Sequence, residues 1–291
     1  MTGGPRLLQD RMLEAVEASP QRVATHDKAG WLELFARDAV IEDPVGSAPH
    51  RKGRGVRRGE DELGRFYETF IAPNEISFEV LEDLLAPTEV VRDVRIHTTL
   101  STGLSIVVPA YLLYELVEED GEVRIRRLAA HWELQRLSAQ ALRGGVRGLA
   151  TMTLLSVRML RVQGASGVLG YSRGLVAGIG GRGRTIADSL AAAANRRDAA
   201  AVGALCARSD ACLEHPAGAA PLGPAGWLEV LPASSRLRLE RVLSAGWVTC
   251  ARYEIVPADR AAAERGVLFL RFDPAARRIA RARFFRPDTG E

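Results

Sequence analysis

The chain has 291 residues, of which 39 are basic and 36 acidic, for a net charge of +3. At roughly 150 residues per domain, this length predicts two domains, each able to bury a core of its own. Because 47% of the residues are hydrophobic and 26% charged, the composition excludes wholesale disorder and a membrane bundle, and the small net charge argues against nucleic acid as a partner.

The first half carries helix signals followed by strand signals. Apolar residues at helical spacing predict one helix around Leu7–Val16, a second around Trp31–Phe35 and a third that contains Phe66 and Tyr67. Helices followed by an antiparallel meander predict an α+β fold, with the helices packed on one face of a curved sheet. The meander is predicted from four apolar, β-branched runs separated by turn residues: Ile76–Leu81, Val90–Leu100, Ser105–Val117 and Val123–Leu134.

One segment of the first half recurs in the second. Leu34–Pro49 reads LFARDAVIEDPVGSAP and Leu205–Pro221 reads LCARSDACLEHPAGAAP, and ten of sixteen pairs are identical when Ser209 is treated as an insertion. An internal repeat of this kind predicts two copies of one supersecondary module. We therefore predict modules at residues 1–136 and 185–291, joined by a basic helical linker at 137–184.

Three parts of the first copy together suggest a family. The sequence EDPVG at 42–46, a helix carrying Phe66-Tyr67, and a strand ending in AHWE at 130–133 resemble the ketosteroid isomerases of the NTF2-like, SnoaL-like superfamily. The resemblance implies that each module is an open cone, in which a curved antiparallel sheet wraps three helices around an apolar pocket. It also implies a small apolar substrate, no metal and no organic cofactor, and either a homo-oligomer or an internal pseudo-dimer of the two copies.

The resemblance assigns roles to single residues. Asp43 corresponds to the family's general base, and its apolar neighbours would raise the pKa of its carboxyl group. Alternation along the last strand places one set of side chains in the pocket and His131 on the other face, at a rim or an interface. The residues expected to contact substrate are Trp132, Tyr67, Phe66, Leu128 and Ala130.

The family's oxyanion donors are missing at their usual positions. The tyrosine of the first helix corresponds to the segment Ser19–Gln21, and the aspartate of the third strand corresponds to Pro109–Leu113, which has no carboxyl group. Losing one such donor costs roughly 3 to 4 kcal/mol of transition-state stabilisation. Tyr111, beside the vacated strand position, is the candidate replacement and a second catalytic residue; packing of its ring between strands is the alternative.

The second copy and the linker depart further from the family. His215 occupies the position of Asp43, and we predict that the second copy is degenerate, with a structural or regulatory role. From Leu134 to Ala187 there are eight arginines and no acidic residue, and glycines from Gly164 to Gly178 are expected to interrupt the helical pattern. This composition is typical of a segment that contacts an anionic membrane; a helical hairpin packed between the domains, its arginines toward their acidic surfaces, is the alternative.

Two further features bear on ligands and location. A Gly-spaced basic loop follows the motif and either holds an anionic group or is simply solvated; it contains Arg51, Lys52, Arg54, Arg57 and Arg58. The three cysteines suggest neither a disulfide framework nor a zinc site, and Met1–Asp10 shows no signal-peptide pattern. Both observations predict a cytoplasmic protein. The basic linker leaves peripheral contact with a membrane as an alternative. The cysteines are Cys206, Cys212 and Cys250.

These observations leave three hypotheses for function. The first is an isomerase in which Asp43 shifts a proton next to a carbonyl of a bulky apolar substrate, a steroid or a polyketide-like compound. The second is an epoxide hydrolase or cyclase of a polyketide pathway, which needs a second carboxyl group opposite Asp43, for which the candidates are Glu62, Glu68 and Glu115. The third is a non-catalytic carrier of a lipophilic ligand at a membrane surface.

Overall fold

The computed structural model describes residues 5–57, 59–208, 211–258 and 262–287. Arg58 of the basic loop and Ser209 of the repeat lie outside the described residues. The chain divides into two compact units, one formed by Met1–Asp83 with Thr88–Val176 and the other by Leu84–Pro87 with Ala177–Glu291. Both helices and sheets are present, as the α+β prediction required. No helix within the described ranges combines the length and apolar character needed to cross a membrane.

The first unit contains a six-stranded sheet and the helices that precede and follow it. The strands are β1 (Phe35–Glu42), β2 (His50–Arg51), β3 (Glu75–Ala86), β4 (Glu89–Thr99), β5 (Ser105–Glu119) and β6 (Glu122–His131), in the spatial order β2-β1-β6-β5-β4-β3. The helices are α1 (Pro5–Ala24), α2 (Lys28–Glu33), α3 (Glu62–Phe66), α4 (Leu134–Arg143), α5 (Gly145–Val162) and α6 (Gly164–Val176).

The sheet is mixed rather than antiparallel as predicted. Strand β1 runs parallel to β6, whereas β4, β5 and β6 pair antiparallel with one another. The parallel pair arises because the helical turns come between β1 and the meander, so the last strand returns beside the first in the same direction. This pairing brings the residue after β1, Asp43, next to the end of β6.

Local sequence signals explain the short helices under the sheet. The side chain of Asp27 accepts a hydrogen bond from the backbone N–H of Gly30 at 2.9 Å, and Asp61 does the same for Gly64 at 2.7 Å, so each caps a helix N-terminus. The second predicted helix ends earlier than expected because β1 starts at Phe35. The third helix changes after Phe66 into a π-helical turn, Tyr67–Ile71.

Two of the predicted linker glycines interrupt the helical pattern as expected: Gly164, at positive φ, separates α5 from α6, and Gly178 follows the end of α6. The glycines within α6 do not interrupt it but bring it close to the segment after Asp43. A Cβ atom on Gly170 would lie 2.6 Å from the Cβ of Ala48, and one on Gly174 would lie 2.5 Å from Ser47 Oγ. The close approach permits two hydrogen bonds: Ala48 N–H donates to Gly170 O at 3.0 Å, and Ser47 Oγ donates to Tyr171 O at 3.2 Å. Helix α6 is thereby fixed beside Asp43.

The second unit contains a five-stranded sheet with the order β7-β11-β10-β9-β8, which repeats the connection order of the first sheet without a β2 equivalent. In its core, the ring of Phe284 packs against the rings of both Trp227 and Tyr253. Descent of both units from one duplicated module remains a prediction. The elements are α7 (Gly181–Asn195), α8 (Ala199–Leu205), β7 (Leu213–Glu214), α9 (Pro224–Val230), β8 (Arg236–Ala245), β9 (Val248–Val256), β10 (Glu264–Phe272) and β11 (Ile279–Phe285).

We predict that Gly170→Ala destabilises the first unit by about 1 to 3 kcal/mol, because the new methyl group overlaps Ala48. Calorimetric unfolding of the full chain measures the effect. Gly203→Ala in α8 is the matched control, since its Cβ would meet only Pro224 Cγ at 3.6 Å; this variant should be neutral or slightly stabilised. Equal stability of the two variants would contradict the close docking of α6.

Candidate functional site

An apolar cavity of about 180 Å³ lies within the first unit. Its wall is formed by helices α1, α2 and α3, the π-helical turn, strands β3 to β6, and helices α4, α5 and α6. The polar side chains on this wall are few, and Asp43 is the one carboxylate among the described residues that line it. The polar members are Ser19, Asp43, Asn74, Thr98, Tyr114, Trp132 and Tyr171.

Asp43 is held at the cavity wall by the ends of two neighbouring strands. It follows directly after β1, and the N–H of Val45 donates to Ala130 O at 2.9 Å, which ties this segment to β6. The indole Nε1–H of Trp132 donates to Asp43 Oδ1 at 2.6 Å. One carboxylate oxygen is thus fixed by a neutral donor that cannot be deprotonated near neutral pH.

Burial dominates the electrostatics of Asp43. Removal of the carboxylate from water raises its pKa from 3.8 to about 6, and the hydrogen bond from Trp132 lowers the pKa by a smaller amount. Asp43 is therefore ionised at neutral pH and yet much more basic than an ordinary aspartate.

The structure brings four other predicted residues to this cavity. Phe66, Leu128, Ala130 and Trp132 all lie on its wall, as the alternation along β6 predicted. Tyr67 does not belong to the wall: its ring packs against Trp31 with 5.4 Å between centroids, and it is buried beneath the cavity. Phe66 and Tyr67 are adjacent in the helical segment, so their side chains point in different directions.

The prediction that Tyr111 replaces a lost donor is not supported by its position. In β5, Leu112 and Tyr114 line the cavity, so Tyr111 belongs to the opposite face of the sheet. There it pairs in register with His131 of β6, whose Nδ1 lies 3.2 Å from Tyr111 O. His131 does not lie at a rim, because it is only 2% exposed. This burial lowers the pKa of its imidazole to about 3.

Tyr114 is the phenol that the sequence analysis missed on this strand. Burial raises its pKa to about 12, and a hydrogen bond with Ser19 partly opposes that rise. Ser19 in turn accepts a hydrogen bond from Trp31 Nε1 at 3.3 Å. Trp31 can only donate, so the hydroxyl of Ser19 keeps its own proton and one lone pair for its hydrogen bond with Tyr114. Ser19 lies in the segment where the family tyrosine was expected.

Tyr171 is a second phenol that faces Asp43, and it comes from α6. Its ring stacks on Phe70 with 5.4 Å between centroids, and burial and the negative charge of Asp43 raise its pKa. No strand or motif signal marked this residue, because its contribution depends on the docking of α6 through Gly170 and Gly174.

The proposed partner carboxylates have other roles. Glu62 Oε2 accepts the backbone N–H of Arg51 at 2.9 Å, Glu68 pairs with Lys28 at 2.7 Å, and Glu115 pairs with Arg127 at 2.7 Å. These three carboxylates are not on the cavity wall.

The described part of the basic loop is braced by the protein itself. Lys52 Nζ donates to Leu32 O at 2.8 Å and Phe35 O at 2.6 Å, and the N–H of Gly53 donates to Asp61 at 2.7 Å. Among residues 51–57, none lines the cavity around Asp43. The anion-binding interpretation therefore gains nothing from these contacts.

His215 of the second unit is surrounded by hydrogen-bonding and aromatic partners. Its Nε2 lies 2.6 Å from Glu264 Oε1, its Nδ1 accepts from Trp227 Nε1 at 3.3 Å, and its ring stacks on Phe284 at 4.8 Å. Since Trp227 donates to Nδ1, Nε2 carries the imidazole N–H and donates a hydrogen bond to Glu264. This arrangement favours the structural role predicted for the second copy. No cluster of metal-ligating side chains occurs in the described ranges.

Part of the first unit matches a family model. Residues 16–128 match the model of the SnoaL-like domain. The matched segment is less than half of the chain and, apart from residues 84–87, lies in the first unit. The match includes Asp43 and Tyr114 and ends at Leu128, so Trp132 and Tyr171 lie beyond it. No curated protein matches the chain.

Several solved structures resemble about half of the chain or somewhat less. One is a Mycobacterium tuberculosis protein in complex with estradiol-17β-hemisuccinate, with 29% identity, 43% of this chain and 95% of that chain covered, and a TM-score of 0.35. Another is the Δ5-3-ketosteroid isomerase of a Mycobacterium species. It is 28% identical over 43% of this chain and 95% of the isomerase chain, with a TM-score of 0.36. A third is an LEH-like epoxide hydrolase of Mycobacterium tuberculosis, with 16% identity, coverages of 50% and 96%, and a TM-score of 0.38.

We predict that Asp43→Asn stabilises the protein at high pH. Because burial raises the pKa of Asp43 to about 6, the stability that its protonated form contributes is complete below about pH 4 and is lost as the pH rises through 6. Between pH 4 and pH 8 the free energy of unfolding should therefore shift in favour of the variant by about 1 to 3 kcal/mol. Chemical denaturation at both pH values measures this shift.

The matched control is Asp188→Asn, which replaces an exposed aspartate of α7. Its free energy of unfolding relative to wild type should be the same at both pH values. A pH-independent difference for Asp43→Asn as well would show that Asp43 is not desolvated.

Proposed function

We propose that the first unit moves a proton next to the carbonyl group of a bulky apolar ketone, a steroid or a polyketide-like compound, with Asp43 as general base. The observation that carries this proposal is that a single carboxylate, among the described residues of the wall, faces an otherwise apolar cavity. A base with a pKa of about 6 is ionised at neutral pH and is better suited to a carbon acid than an ordinary aspartate.

The reaction that fits these groups is an allylic isomerisation. Asp43 removes a proton from the carbon between the carbonyl and an isolated double bond, which leaves a dienolate and a protonated Asp43. The same carboxylic acid then returns the proton to the far carbon of the dienolate, so that the double bond becomes conjugated with the carbonyl. No atom is gained or lost, and no cofactor is consumed.

Charge on the dienolate oxygen requires a donor, and Tyr114 is the side chain best suited to supply it. It lines the same cavity as Asp43, and its hydroxyl forms a hydrogen bond with Ser19, which itself accepts from Trp31. A pKa near 12 keeps the phenol protonated, as a donor must be. Tyr171 is a further candidate donor from the opposite, helical side of the cavity.

The epoxide hydrolase or cyclase hypothesis is weaker on the same evidence. Opening of an epoxide with an acid opposite a base requires a second carboxyl group. Glu62, Glu68 and Glu115 all have partners away from the cavity. Isomerisation needs one carboxylate and one neutral hydrogen-bond donor, and the described cavity wall offers Asp43 and the phenol of Tyr114 for these roles.

We predict that the wild-type protein converts a 3-keto-Δ5-steroid to its conjugated enone and that Asp43→Asn loses activity by a factor on the order of 10² to 10⁴, because the base is removed. Absorbance of the enone measures the rate. The wild-type kcat/KM should rise with pH, with a midpoint near 6 and a plateau about one pH unit higher, since the base must be ionised in the free enzyme. Steroid binding without turnover in the wild type would favour the carrier hypothesis instead.

We predict further that Tyr114→Phe lowers kcat on the order of 10²-fold, with a smaller effect on KM, because the hydroxyl interacts chiefly with the developing oxyanion. Tyr111→Phe is the matched control: it removes a phenol hydroxyl from the same strand, but on the face away from the cavity. Its kcat should remain within about twofold of wild type. Equal losses in both variants would contradict the role of Tyr114.

A further inference from the structure

Helix α5 exposes an apolar stripe to solvent. Four apolar residues lie on one side of this helix because they follow one another at helical spacing. Counted from Val146, the other three are 3, 11 and 14 residues further along the chain: Leu149, Val157 and Leu160. All four are exposed, and Val146 is 87% exposed. Single exposed apolar residues are ordinary, but several on one side of a helix mark an interaction surface. Further exposed apolar residues of the adjoining helices are Leu142, Leu169, Leu175 and Val176.

The same three helices carry positive charge and no negative charge. Residues 134–176 contain six arginines and no Asp or Glu. Arg136 pairs with Glu133, whereas Arg143, Arg147 and Arg161 are exposed and form no ion pair with a described residue. Arginines that border an exposed apolar stripe attract an anionic surface that also accepts apolar side chains.

A second cavity lies between this surface and the Asp43 cavity. It has a volume of about 200 Å³, and its wall includes Leu154 and Leu175, both of which are exposed. The wall also includes Leu137, Leu155 and Tyr171, which line the Asp43 cavity as well. The two cavities are therefore neighbours separated by shared apolar side chains, and the outer one reaches the edge of the apolar surface.

We propose that the face formed by α4, α5 and α6 docks on an anionic lipid bilayer. We further infer that the outer cavity passes a lipid-soluble substrate between the bilayer and Asp43. The docking surface is independent of catalysis, whereas the route for substrate rests on the proposed function.

A bilayer fits this face better than a second copy of the chain does. In a twofold-symmetric dimer the same patch meets itself, so the arginines would face one another without any acidic residue of 134–176 to compensate them. Nucleic acid would satisfy the arginines but would leave Val146, Leu149 and Leu160 without apolar contacts. The headgroup region of an anionic bilayer provides both negative charge and an apolar layer beneath it.

The test is sedimentation of the full chain with vesicles of phosphatidylcholine alone or with 30% phosphatidylglycerol. Wild type should bind the anionic vesicles much more tightly than the neutral ones, and salt should weaken the binding. The triple variant Arg143→Gln, Arg147→Gln, Arg161→Gln should bind roughly 100-fold more weakly, at about fivefold for each arginine. Val146→Gln with Leu160→Gln should also bind more weakly, because the apolar contribution is reduced.

The matched control is Arg271→Gln, Arg277→Gln, Arg278→Gln, which removes three exposed arginines of the second unit and should bind as wild type does. Asp43→Asn should also bind the vesicles normally, so that failure of catalysis and failure of docking are distinguishable. The proposal is overturned if wild type does not bind anionic vesicles, if the control loses as much binding as the triple variant, or if light scattering shows a dimer that Val146→Gln with Leu160→Gln dissociates.

Discussion

The hydrogen bond from Trp132 to Asp43 is the interaction on which the candidate site depends. It joins the residue after β1 to the residue after β6, and the parallel pairing of those strands makes the 2.6 Å contact geometrically available. The indole fixes one carboxylate oxygen without supplying a charge, so burial still dominates and the pKa of Asp43 is about 6. A lysine or arginine in place of Trp132 would hold the carboxylate equally well but would lower its basicity.

Helices α4, α5 and α6 complete the wall of the cavity that the sheet begins. Gly170 and Gly174 allow α6 to approach Ser47 and Ala48, and this approach delivers Tyr171 to the Asp43 side of the cavity. Burial matters because a carboxylate that is exposed to water loses the elevated pKa that makes it an effective base. The other side of the same helices remains apolar and basic, which gives one segment two faces with different chemical character.

Much of the fold and part of the site could be predicted from the sequence. The family resemblance indicates Trp132, and period-two alternation on β6 extends that choice to Leu128 and Ala130; the four strands of the meander follow from their turn residues. The sequence indicates Tyr111 only because it lies next to a family position. Its register opposite His131 places Tyr111 on the face of the sheet away from the cavity, whereas Tyr114 lies on the face that lines it. Tyr171 could not be predicted, because its position depends on tertiary docking of α6 that no local pattern records. The parallel pairing in the sheet could not be predicted, because it depends on β6 pairing with β1, which lies about 90 residues earlier in the chain.

The central claim is that Asp43 removes a proton next to a carbonyl group inside this cavity. The most direct measurement is hydrogen–deuterium exchange, followed by NMR, at the carbons next to the carbonyl of a saturated 3-keto steroid in D₂O. Such a ligand can lose and regain a proton but cannot isomerise. The account predicts exchange that is accelerated by the wild-type protein and not by Asp43→Asn. A wild-type protein that binds the ketone but leaves its exchange rate unchanged would contradict the account.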